Sequence, residues 1–175
     1  MYMLRELRRS DIPTINSWRA DRELISRLGA PYRFINEEVD ERWFNAYMDR
    51  RGNTVRCAVV DTEAPDAILG LVSLTDIDNL NRSCQLHMMI GDKNQRGKGM
   101  GTFAFNEIIR HAFDDLNLNR MEAFILADNA ASLAVCSKVG FKQEGLLRQY
   151  AFKNGEYKDT VIMSILREEW KKNAD

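Results

Sequence analysis

The run Gln95-Arg96-Gly97-Lys98-Gly99-Met100-Gly101-Thr102 sets three glycines and two cations between a strand-like segment and a strongly helical one. Glycines let successive backbone N–H groups turn inward, and a helix start adds the positive end of its dipole. With the charges of Arg96 and Lys98, the span from Arg96 through Gly97, Lys98, Gly99, Met100 and Gly101 to Thr102 suits a pyrophosphate. Its spacing is neither GxGxxG nor GxxxxGKS/T, which argues against a dinucleotide fold and a P-loop; a bland glycine turn is the plainer alternative. Further on, Asn129, Ser132 and Cys136 stand at i, i+3 and i+7 along one helix face. The Asn129 amide can bond an amide-bearing ligand there, or simply cap the helix. Two groups offer themselves as a base: His87, alternating with Gln85 and Met89 on one strand face, and Glu122 on a later strand. Each has a plain structural reading as well. Asp76 and Asp78 close the strand before His87, where they could orient an amine or make a turn.

These residues need elements to position them. Pro13, with Ile12, Ile15 and Trp18, marks a first helix, and Asn36 followed by Glu37 and Glu38 starts a second that carries Val39, Trp43, Ala46, Tyr47 and Arg50. The runs VRCAVVDT, AILGLVSLTDI and SCQLHMMIG read as strands separated by turns near Ala64 to Asp66 and Asp78 to Arg82. From Thr102 a helix is written by Phe105, Ile108, Ile109, Ala112, Phe113 and Leu116. RMEAFIL is another strand, Ala130 to Lys138 a helix ended by Gly140, and Asn154-Gly155 a hairpin turn. The order is mixed α/β, in one domain over residues 1–175.

Composition excludes several classes. The 175 residues carry 25 Lys+Arg and 26 Asp+Glu, a net charge of -1, so no global basic field attracts nucleic acid. Three cysteines without CxxC spacing suggest neither disulfides nor a metal site, and no apolar run reaches membrane length. A soluble cytoplasmic protein without signal peptide, metal or membrane partner is the expectation.

With its glycine run and the later Asn129, Ser132, Lys138, Gly140 and Phe141, the chain resembles the GCN5-related N-acetyltransferase (GNAT) family. Arg96, Gly99 and Gly101 match the family's loop of Gln or Arg, two residues, Gly, one residue, Gly or Ala. SLTDID, EGLLR, the Asn-Gly hairpin, Asp159 and Met163 to Trp170 look like the branch of ribosomal-protein N-terminal, spermidine and amino-sugar-nucleotide acetyltransferases.

The resemblance implies a mixed, twisted sheet of about seven strands, splayed between SCQLHMMIG and RMEAFIL and flanked by about four helices. It implies an enzyme that passes an acetyl group directly from acetyl-CoA to a primary amine: an amino-sugar nucleotide, a protein N-terminus or a polyamine. Backbone groups of Met89, Ile90 and Gly91 would pair with pantetheine, residues 96 to 102 would cradle the pyrophosphate, and Asn129 and Ser132 would bond the arm from the other side. His87, Glu122 and Cys136 are the catalytic candidates, Cys136 standing where the family usually places a tyrosine acid. A CoA-binding regulatory module with lost or weak catalysis is the alternative. Tyr32, Phe34 and Trp170, expected to be exposed, offer a homodimer surface.

Overall fold

The computed structural model describes residues 1–174; Asp175, the end of the expected domain, lies outside the described residues. Seven strands, β1 (Tyr2–Glu6), β2 (Val55–Asp61), β3 (Ala64–Asp78), β4 (Ser83–Ile90), β5 (Arg120–Leu126), β6 (Lys142–Lys153) and β7 (Glu156–Leu166), form one sheet in the order β1-β2-β3-β4-β5-β7-β6. Every pair is antiparallel except β4 with β5, which meet only at Ser83/Arg120, Cys84/Met121 and Gln85/Glu122. From Leu86 onward the two strands part, which is the expected splay.

Six helices rather than about four accompany the sheet among the described residues: α1 (Ile12–Arg19), α2 (Arg22–Ser26), α3 (Glu37–Asp49), α4 (Met100–Arg110), α5 (Ala130–Lys138) and α6 (Arg167–Ala174). The five-residue α2 is too short to display a period, and α6 follows β7 with no break residue between them.

The β2 to β4 runs are apolar on both faces because both faces are covered. Val59, Val72 and Leu86 join α4 in one core, while Ala58, Val60 and Leu71 join α1 and α3 in the other. The first hairpin turn is Thr62-Glu63, and Ala64 to Asp66 already belong to β3, contrary to the turn read there. Asn154 and Gly155, at φ 53° and 84°, make the β6–β7 turn as expected.

Two helical faces are rotated from their sequence reading. In α3 the buried positions are Asp40, Phe44 and Tyr47, whereas Val39 is exposed. Asp40 is drawn inward by α1, accepting from Asn16 Nδ2 at 2.7 Å and pairing with Arg19 at 2.6 Å. The helix α4 starts at Met100 and ends in a π turn over His111–Asp115. That wider turn breaks the 3.6 period, so Leu116 falls at the surface while Phe113 stays fully buried. Trp170 is half-buried with its ring 5.9 Å from Phe113, and so is no exposed aromatic. Phe34 is exposed and Tyr32 half-buried; further exposed rings are Tyr150, Phe152 and Tyr157 near the β6–β7 turn.

Candidate active site

Where β4 and β5 diverge they leave a cavity of about 610 Å³, bounded by Leu86 to Met89 on one side and Ala123 to Leu126 on the other. The segment after α2 and the start of α5 form its walls. The Gly91 N–H donates to Leu69 O at 3.1 Å, so it is already taken by β3. Antiparallel alternation then turns the backbone groups of Met88 and Ile90 toward the opening and those of Met89 toward β3. Of the expected trio Met89, Ile90 and Gly91, only Ile90 thus offers both its N–H and C=O to the gap; Met88 is the residue the sequence reading missed. Gly91 is required for another reason, since a Cβ there would lie 1.9 Å from the Trp18 ring.

At the mouth of the gap lies the glycine run. Gly97 and Gly99 have φ of 75° and 84°, a left-handed conformation costly for other residues. Gly99 is the N-cap of α4 and supplies no side-chain cap, so the helix presents bare N–H groups. A Cβ at either glycine would meet nothing within 4 Å, leaving open space beside those groups. Close by in sequence, the Arg96 Nη2 is buried without a hydrogen-bond partner. These features fit an oxyanion such as a phosphate. Gly101 serves differently: its φ is not left-handed, and it lets α4 approach α5, with Val135 3.6 Å from its would-be Cβ. Met100 is fully buried in the core, Lys98 is exposed, and Thr102 is half-buried in the first helical turn.

On the face toward α3, strand register lines up Arg56, Ser73 and His87 across β2, β3 and β4. All three border the cavity. Thr75 Oγ1 donates to Asp76 Oδ2 at 3.1 Å and lies 2.9 Å from His87 Nε2. A hydroxyl has one proton, so with that proton on Asp76 the His87 Nε2–H is the donor and Nδ1 keeps a free lone pair. Surrounding protein pushes the His87 pKa below its ordinary 6.5, and the Arg56 charge adds to the effect against the opposing pull of Asp76. The imidazole is therefore neutral at pH 7, as a base must be.

The other candidates are more constrained. Glu122 accepts from Arg120 Nε at 2.9 Å, and Arg120 also binds Glu144, so this carboxylate is part of an ion network outside the cavity lining. Cys136 borders the cavity but is buried, and burial pushes its thiol up to about 12. It is a proton-bearing, weakly reactive group. Asn129 caps α5 through Ser132 N at 3.2 Å and also donates from Nδ2 to Arg27 O at 2.9 Å, tying α5 to the segment after α2. Ser132 lines the cavity. Asp78 accepts from Leu80 N and Asn81 N, the turn role foreseen for it, while Lys138 is exposed at its helix end.

The sequence reading passed over Arg19, Arg56, Ser73 and Thr75, and took Trp43 only as part of a helix face. Arg56 sits alone in an apolar strand, and a lone charge in such a run was the readable cue.

A model of the Acetyltransferase (GNAT) domain family matches residues 2–142. A spermidine N(1)-acetyltransferase of Vibrio cholerae is 29% identical over 168 residues, covering 95% of this chain and 94% of that protein. Bacillus subtilis YdaF, which carries a ribosomal N-acetyltransferase name, is 36% identical over 104 residues; the match spans 59% of this chain and only 56% of that relative's length. Among solved structures, the Vibrio cholerae spermidine N-acetyltransferase in complex with CoA and spermine superposes at a TM-score of 0.90, with 25% identity over 97% of this chain and 98% of that one.

Proposed function

This chain belongs to the GNAT acetyltransferase family, and on that premise we propose that it transfers the acetyl group of acetyl-CoA directly to a primary amine in the cytoplasm. An amino-sugar nucleotide, a protein N-terminus and a polyamine are the acceptor classes, polyamines being supported by the Vibrio cholerae relative. The observation that carries the reading is the gap between β4 and β5 with an uncapped, glycine-started helix at its mouth. It accommodates an extended arm ending in a pyrophosphate, the shape of CoA.

In this reading the first N–H groups of α4, with Arg96 and Lys98, hold the pyrophosphate. The N–H and C=O of Met88 and Ile90 pair with the pantetheine amides, and Asn129 and Ser132 face the arm from α5. A β4 N–H polarises the thioester carbonyl, stabilising charge that grows on its oxygen. The amine nitrogen bonds to the acetyl carbon, the C–S bond breaks, and the electron pair leaves on sulfur. Nδ1 of His87 takes the amine proton, directly or through one water. With Cys136 buried and short, water or the acceptor itself protonates the thiolate. Most of the rate gain is then positional.

The test is calorimetric titration with CoA followed by thiol release from acetyl-CoA across an amine panel. Saturable CoA binding with amine-dependent release is expected. Absence of CoA binding overturns the reading, and binding without turnover favours the regulatory module.

A further inference from the structure

The cavity's acceptor side is strongly one-signed. Arg19, Arg27, Arg33 and Arg56 all border it, together with His87, and no Asp or Glu does among the described residues. In a chain with a net charge of -1 this is a local concentration of positive charge. Two of the four are already neutralised from behind: Arg19 by buried Asp40 at 2.6 Å and Arg27 by Glu23 at 3.0 Å. Arg33 and Arg56 have no such carboxylate partner among the described residues.

Arg56 is the more telling of the two. Its guanidinium carbon lies 4.7 Å from the centre of the Trp43 ring, whose other neighbour is Arg19 at 4.6 Å. Stacking fixes the plane of the guanidinium while leaving its N–H edge unused. Its Nε is buried without a hydrogen-bond partner, and both burial and the adjacent Arg19 charge work against its protonated form. A half-buried cation beside a like charge, with its Nε short of a hydrogen bond, is an unfavourable arrangement that an incoming anion relieves. Register places this group two strands from His87, so an anion on Arg56 sets the rest of the same molecule against the base.

Building on the proposed acetyl transfer, we infer that the acceptor is a small primary amine that also carries an anionic group, a carboxylate or a phosphate, which Arg56 and Arg33 bind. CoA's own phosphates do not account for these arginines. The helix α4, which the glycine run starts, packs with the opposite core through Met100, Ala104 and Phe105, whereas Arg56 lies on the face toward α3. A polycation gains nothing from a wall of arginines.

Matched probes test this. Glucosamine and glucosamine 6-phosphate differ by a phosphate, and alaninamide and alanine by a carboxylate; spermidine is the polycation. The expected result is at least a tenfold higher kcat/KM for the anionic member of one pair, erased in Arg56→Gln while the KM for acetyl-CoA stays within twofold. Arg33→Gln, at an exposed position, provides the same readout if Arg56→Gln does not fold. Calorimetry of the probes on the CoA-saturated protein reads the preference where turnover is slow. Preference for spermidine, or equal affinity within both pairs, overturns the inference but leaves the proposed activity standing. Loss of CoA binding itself would instead count against the proposed activity.

Discussion

Arg56 and His87 flank the same residue: Ser73 on β3 is in register with both, which puts a guanidinium and an imidazole on one lateral row of the sheet. His87 is open to solvent in the cavity, yet desolvation by the protein around it and this positive neighbour hold its pKa below 6.5. Native His87 therefore resists protonation more than it does unfolded. It adds no penalty above pH 6.5, and its contribution is lost as pH falls below that value toward its native pKa. The acidic limb of kcat/KM should accordingly lie below 6.5 and move upward in Arg56→Gln, where the repulsion is gone. His87→Gln should reduce kcat/KM by about 10²- to 10⁴-fold, with CoA affinity unchanged by calorimetry.

Gly99 begins α4 at φ 84° beside open space, so the cost of Gly99→Ala in the free protein is conformational strain of about 1–2 kcal/mol. In a protein of this size that lowers Tm by a few degrees, about 2–4 °C per kcal/mol. CoA affinity should fall by tenfold or more, because the added carbon occupies the approach to the helix N-terminus. Calorimetry on the folded variant reads the difference; affinity equal to the parent's would remove the phosphate cradle.

Cys136 has its thiol pushed up to about 12, which suits neither nucleophile nor acid at neutral pH. Cys136→Ala should keep kcat within about tenfold, at most ~1.4 kcal/mol of transition-state stabilisation. Intact-mass analysis after exposure to acetyl-CoA alone should show no acetyl-enzyme. A hundredfold loss at preserved CoA affinity would assign the thiol a chemical role.

Lys153 is buried, and its Nζ donates to the carbonyls of Ile25, at 3.1 Å, and Ala30. These bonds hold the end of α2 and the segment after it against β6, and both line one wall of the cavity. Lys153→Met should leave the CoA-binding half intact while raising the acceptor KM several-fold. It should also cost about 1–3 kcal/mol of stability from the stranded carbonyls, measurable by urea denaturation.

Local patterns were legible in the sequence because each is closed within a few residues. The apolar period of α4, the apolar runs of β2 to β5, the left-handed glycines at 97 and 99 and the Asn154-Gly155 turn are all dictated by neighbours in the chain. The order of those pieces carried the family resemblance, and with it the splayed sheet and the acetyl-CoA reading. The acceptor side was not legible in this way. Arg56, Ser73 and His87 lie in three strands, and their alignment depends on two independent registers, each of which would send these side chains to opposite faces if slipped by one residue. Arg19, Arg33 and Arg56 likewise come from separate segments whose charges are diluted to -1 over the whole chain and concentrated only when α1, α3 and the sheet pack together. The inward turn of Asp40 and the unmatched edge of Arg56 are products of that packing, since burial and partners exist only once distant segments meet.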